Sequence, residues 1–247
     1  MKYAFLAIFI SIVFVFTVII AISIPATRGF WNIGETGVYI VALMSGPVMG
    51  ALAGGIGSAL ADIFLGYAYY APGTLVIKGA EGFLVGYLYY SLKKLRQEMI
   101  KRYYAAIMVL LLLGVLVYVF YFFGSDVGTI DVELASELLG FSIEFSIRYI
   151  YLILFALAMG VVAVLILFIG KETYLMMFSC LVGGIVMVFG YFIYESIILG
   201  SEVALVEVIP NFMQSIIGIV LSIPVIQKLE EMGVIDKYKE LMGEVSR

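Results

Sequence analysis

Apolar runs long enough to cross a hydrocarbon core about 30 Å thick, roughly 20 residues each, occur near 4–24, 103–123, 149–170, 174–199 and 205–227. Between 36 and 92 the apolar pattern is cut by glycine, proline and a few charges, and it fits three shorter spans. A helix satisfies its own backbone hydrogen bonds in lipid, whereas a broken segment must be shielded by neighbours. The pattern therefore predicts an all-α, polytopic membrane bundle of about eight spans. The first run lacks a convincing cleavage site and is too long for a signal-peptide core, so it is read as a helix. Between the spans at 103–123 and 149–170, Leu134, Leu138, Phe141 and Phe145 fall at i, i+4, i+7 and i+11, which predicts a helix lying in the interface. Strand-like alternation at 139–147 is the competing reading. After the last span, KLEEMGVIDKYKELMGEVSR mixes acids and bases at helical spacing and predicts a cytoplasmic amphipathic helix, either a solvated tail or a docking surface.

Composition agrees with the pattern. The 247 residues are 64% hydrophobic and 13% charged, where a soluble domain carries about 25% charged residues. Charge position then orients the spans. Lys93, Lys94, Arg96, Lys101 and Arg102 share one loop, Lys171 sits in another, and Lys228, Lys237, Lys239 and Arg247 follow the last span. Cationic loops stay cytoplasmic. Asp126, Asp131, Glu133, Glu137, Glu202 and Glu207 occupy the alternate loops, so a multi-pass protein of the cell (plasma) membrane with both termini cytoplasmic is expected. One cysteine, Cys180, excludes a disulfide within the chain, and the lack of histidine excludes His-rich zinc sites and Ser/His triads. No cofactor, metal site or nucleic-acid partner is predicted.

Glycine density concentrates in 25–92. Gly46, Gly50 and Gly54 recur every four residues, with Gly57 and Ala61 continuing the small face. Such spacing permits close helix approach, either inside the bundle or against another subunit. Charges within the membrane are costly and mark functional candidates. Arg28, Glu35, Asp62, Lys78 and Glu81 are such charges, and Glu195 lies one turn after Tyr191. Lys78 and Glu81, at i and i+3, can pair on one helix face, below the loop GYAYYAPGT that contains Tyr70. The loop PATRGFWNIGET gathers Trp31, Asn32 and Glu35, an apolar ring beside hydrogen-bonding groups, as a planar heterocycle requires. An interfacial anchor explains Trp31 equally well. Pro210 fits the first turn of the last span, and Asn211 with Gln214 places two amides on one face just beyond it, where a ligand can partner them.

At these residues the chain resembles the substrate-binding S component of an energy-coupling factor (ECF) vitamin transporter, most closely the riboflavin-type subfamily. The matching stretches are FWNIGETGVYIVALMSGPVMGALAGGIGSALADIFLGYAYYAPGTLVIKGAEGFLVGYLY at 30–89, GGIVMVFGYFIYE at 183–195 and EVIPNFMQSIIGIVLSIPV at 207–225. The resemblance implies a single membrane domain whose six-helix core is 1–92 and 173–227, with an inserted pair of helices over 103–170 and a cytoplasmic tail over 228–247. It implies capture of a vitamin or related heterocycle, riboflavin favoured, from outside. The first loop acts as lid, with contacts from Arg28, Trp31, Asn32, Glu35, Tyr70, Lys78, Glu81, Tyr191, Glu195, Asn211 and Gln214. It also implies partners, namely a transmembrane coupling subunit and two ATPase subunits. Independently, the chain has no G-x-x-x-x-G-K-[ST] phosphate loop. Two other classes compete. A membrane enzyme acting on a lipid or prenyl substrate needs gathered acids, and here they are dispersed. A self-powered secondary transporter needs matching broken helices in both halves, and glycine breaks only the first.

Overall fold

The computed structural model describes residues 1–25, 27, 29–94, 129–131, 144–146 and 170–243. The elements are α1 (Lys2–Ile19), β1 (Ala21–Ile24), β2 (Gly29–Asn32), α2 (Gly34–Ser45), α3 (Pro47–Phe64), α4 (Ala71–Lys93), β3 (Thr129–Asp131), β4 (Glu144–Ser146), α5 (Lys171–Ile198), α6 (Ser201–Glu231) and α7 (Val234–Met242). The chain divides into two compact units, Met1–Leu95 with Lys171–Arg247, and Arg96–Gly170. Among the described residues, α1, α3, α5 and α6 are each long and apolar enough to cross a membrane. The protein is a multi-pass helical membrane bundle. The spans expected at 103–123 and 149–170 lie outside the described residues.

Three local expectations give way. The first apolar run does not stay helical to residue 24. Ile20 turns to extended backbone, and β1 pairs antiparallel with β2, Ile22 opposite Trp31 and Ile24 opposite Gly29. The cause is local: β-branched Ile20, Ile22 and Ile24 favour strand, and the residue before Pro25 is driven out of the helical region. The segment expected as a lid loop is therefore half of a two-stranded ribbon. Pro210 is not in a first turn either, because α6 starts nine residues earlier, after Gly200 at φ 97°, and carries Pro210 and Pro224 inside it. Proline inside a helix leaves one carbonyl without its amide partner, a loss tolerated where neighbouring helices shield it. Finally, β4 pairs with β3, Ile130 opposite Phe145, so Phe145 lies in a strand rather than on a helical stripe. Leu134, Leu138 and Phe141 lie outside the described residues.

Close packing in the first unit is set by glycine. A Cβ on Gly54 would sit 2.8 Å from the Lys78 carbonyl oxygen, one on Gly50 2.6 Å from that of Gly82, and one on Gly86 2.6 Å from the backbone of Gly46 and Pro47. The four-residue glycine spacing of α3 is thus spent inside the bundle, against α4, whose own glycines answer it. Similarly, a Cβ on Gly57 of α3 would sit 2.8 Å from the Ile10 carbonyl oxygen of α1. Helix α2 has only 12 residues, buried from Gly34 through Met44, about 18 Å of helix wrapped by α1, α3, α4 and α6. The tail forms α7 between left-handed Gly233 and Gly243. Its Tyr238 ring lies 5.1 Å from Phe5 and 5.6 Å from Phe9 of α1, so the tail docks on its own bundle.

Candidate functional site

Two helix faces converge on one buried network. On α2, Glu35 and Tyr39 are one turn apart; on α4, Thr74, Lys78 and Glu81 follow at i, i+4 and i+7, all on one side. The α3–α4 glycine contacts draw α4 inward, and Lys78, 4% exposed, ends beside Glu35 and Glu81, each 0% exposed. The Lys78 ammonium donates to Glu35 and, at 3.3 Å, to Glu81 Oε2. Glu81 Oε1 accepts from the Tyr39 hydroxyl at 3.0 Å, which lies 3.0 Å from Ser215 Oγ of α6. The Lys78 ammonium also stands 5.6 Å from the centroid of the Tyr191 ring on α5, a favourable cation–π placement. Tyr191 in turn meets Thr74 at 3.0 Å, and Thr74 also hydrogen-bonds Asp62.

Glycines make room for this network. A Cβ on Gly218 would run into the side chain of Glu35, and one on Gly184 into Ser215. Glu35 lies in the first turn of α2, where the helix dipole favours a carboxylate.

The amides adjoin the network. Gln214 Oε1 accepts from the Asn32 backbone N–H at 2.6 Å, and Asn32 Oδ1 accepts from Gly34 N–H at 2.7 Å. Gln214 Nε2 donates to Asn211 Oδ1 at 3.4 Å. This chain ties the end of β2 to the start of α2 and to α6, with Asn32 three residues before Glu35.

A second group holds the turn of the ribbon. The Thr27 hydroxyl hydrogen-bonds Glu207 of α6, Gly29 N–H donates to Thr27 Oγ1 at 3.2 Å, and Tyr70 OH lies 3.3 Å from the Thr27 carbonyl. Tyr70 also interacts with Glu195 of α5. Phe30 stacks on Tyr67 with centroids 4.7 Å apart.

The predicted residues therefore sort into three sets. Glu35, Lys78, Glu81 and Tyr191 meet directly; Asn32, Asn211 and Gln214 form the neighbouring amide chain; Tyr70 and Glu195 belong to the ribbon-turn group. Trp31 is half-buried in β2 and opposite Ile22. Arg28 lies outside the described residues. Sequence reasoning passed over Tyr39, Thr74, Ser215 and Thr27, and it set Glu207 in an outer loop, whereas Glu207 lies buried inside α6. Two of these carried a signal: Tyr39 is one turn from Glu35, and Glu207 precedes Asn211, Gln214, Ser215 and Gly218 on a single helical stripe.

Charge within these groups is lopsided. Among the described residues the buried acids are Glu35, Asp62, Glu81, Glu195 and Glu207, and the buried base is Lys78. No group of three or more acidic, histidine or cysteine ligands suited to a metal occurs among the described residues.

Comparison with known proteins bears on the first half of the chain. The family described as "ECF-type riboflavin transporter, S component" matches residues 1–127, which include α1 through α4 and the ribbon. Helices α5 and α6, which supply Tyr191, Glu195, Asn211 and Gln214, lie beyond the matched residues. A relative from Pyrococcus woesei, described as an uncharacterized protein in gap 3' region, is 49% identical over 71 residues, 29% of this chain. The match spans 47% of that relative's length.

Proposed function

This chain belongs to the family of ECF-type riboflavin transporter S components, and from that premise we propose that it captures riboflavin or a closely related heterocycle at the ribbon end of the bundle. The observation that carries the reading is the convergence of α2, α4, α5 and α6 on one buried polar network, Glu35–Lys78–Glu81–Tyr191, with the Asn32–Gln214–Asn211 amides beside it. Ionisable groups inside a membrane bundle are costly even when paired, and where they occur they mark a path or a ligand site. Trp31 and Phe30 on β2 supply apolar ring surface for a planar ligand, and the amides supply hydrogen bonds.

In this reading the ribbon faces outside, both termini are cytoplasmic, and the membrane is the cell membrane. The ribbon turn, held by Tyr70 and Glu207, covers the site. The chain has no phosphate loop, so the energy for import comes from partners, a transmembrane coupling subunit and two ATPase subunits. The insert over 103–170 is an addition to a six-helix core of 1–92 and 173–227.

The test is the identity of the small molecule retained when the chain is extracted from membranes alone, in mild detergent, from cells supplied with riboflavin. Absorbance and mass spectrometry should find a flavin in stoichiometric amount. A stoichiometric lipid or prenyl compound in its place would overturn the proposal.

A further inference from the structure

The cation of the buried network is fully engaged, while carboxylate oxygens around it are left without partners. Lys78 spends its ammonium on Glu35, Glu81 and the Tyr191 ring. Among the described residues, the buried carboxylate oxygens without a hydrogen-bond partner are Glu35 Oε2, Asp62 Oδ2 and Glu195 Oε2, the hydroxyls of Thr36 and Ser179 also lack one, and no buried side-chain nitrogen does. A buried acceptor left unpartnered costs the desolvation of that group, more for a charged one. The three oxygens sit on α2, α3 and α5, so the excess belongs to the interior as a whole and not to one misplaced rotamer.

Glu35 is the sharpest case. It is 0% exposed, its Oε1 is taken by Lys78, and it follows by three residues the Asn32 that closes the amide chain. Its backbone is held on both sides: Gly34 admits no Cβ beside Thr17, and Gly218 clears the space over the Glu35 side chain. The free oxygen therefore has a fixed direction. What it can accept is an N–H or O–H, and it receives none from the residues around it.

Resting on the riboflavin reading above, we infer that the ligand is recognised by a donor edge, with Glu35 Oε2 accepting from a ring N–H, and that Lys78 acts as the positioning residue that fixes Glu35 rather than as a direct ligand contact. For a flavin the group concerned is the imide N–H, flanked by two carbonyls whose acceptors suit amide donors such as those of Asn211 and Gln214. Heterocycles of the same shape without that N–H are discriminated against. A site built to pair a polar edge rejects an analogue that leaves its own group unpaired.

The experiment titrates the purified full chain with riboflavin and with riboflavin methylated at the imide nitrogen, following quenching of flavin fluorescence. Wild type should bind riboflavin roughly tenfold or more tightly than the methylated compound, the range for a hydrogen bond to a charged group. In E35Q, Lys78 holds the amide oxygen and the amide NH2 faces the ligand. Riboflavin affinity should then fall towards that of the methylated compound, which itself changes little.

Equal affinity of wild type for the two flavins overturns the inference and leaves the riboflavin reading standing. A preference that persists undiminished in E35Q is steric and overturns it as well. Failure of wild type to bind either flavin overturns both. One measurement is independent of any variant: riboflavin labelled with 15N at the imide and bound to wild type should show its N–H proton downfield of its position in water. An upfield position would contradict the inference.

Discussion

The inner network and the ribbon-turn group are both buried and both rich in carboxylate, yet they are built on opposite terms. Glu35 and Glu81 share a cation, Lys78, delivered by two helices whose backbones touch through glycine. Glu195 and Glu207 are served by neutral hydroxyls, Tyr70 and Thr27, from a ribbon and a loop. Ionic pairing in a low dielectric is strong only when the geometry is fixed, and removing one partner strands the other. Neutral hydrogen bonds ask for less precision and can be broken and remade. In the proposed site the inner network is therefore the part that demands fixed geometry, and the ribbon is held by the more readily exchanged bonds.

The substitution expected to have the largest effect is Lys78→Met, which leaves Glu35 and Glu81 buried without their cation. A loss of about 3–5 kcal/mol is expected, read as a large fall in thermal unfolding temperature in detergent; an unchanged midpoint would erase the contrast drawn above. Next comes Gly82→Ala, whose methyl would meet the Gly50 carbonyl. Backbone cannot yield cheaply, and a loss of about 1–3 kcal/mol is expected, with Lys78 displaced and ligand affinity reduced alongside. Thr27→Val removes the hydroxyl that reaches Glu207. Its cost to global stability should be about 1 kcal/mol, but amide hydrogen exchange in 21–32 should accelerate while that of α3 and α4 stays unchanged. Uniform acceleration would show that the ribbon is no separate unit of opening. The smallest effect belongs to Lys228→Ala, which breaks a pair with Glu231 whose side chains are 69% and 67% exposed. A change under about 0.5 kcal/mol is expected there, and a larger one would mean that pairing alone, without burial, sets the scale.

Legibility in the sequence followed the range of the interaction. Apolar runs placed α5 and α6 within a few residues, since span length is set by the bilayer and read directly. The pairing of Lys78 with Glu81 is an i, i+3 relation and was equally plain. Its second partner, Glu35, lies 43 positions away and joins only because α3 and α4 close on their glycines. The four-residue glycine spacing announced a close helix contact without naming the helix opposite. Residues 20–24 misled because an apolar run scores alike as helix or strand, and the β-branched alternation before Pro25 carried the distinction. Pro210 misled for a related reason: in a membrane bundle proline is tolerated inside helices, so it does not mark a first turn as it does in water.

In the proposed function the α2–α4–α5–α6 network with its neighbouring amides forms the ligand site. The most direct test is the dissociation constant of riboflavin for the purified chain, without partners, in wild type and in Asn211→Ala. Saturable binding is expected in wild type, with a weakening of roughly 1–3 kcal/mol, about 5- to 150-fold, on loss of the amide. Saturable binding with the same constant in Asn211→Ala and in Lys78→Met would place the ligand elsewhere and contradict it.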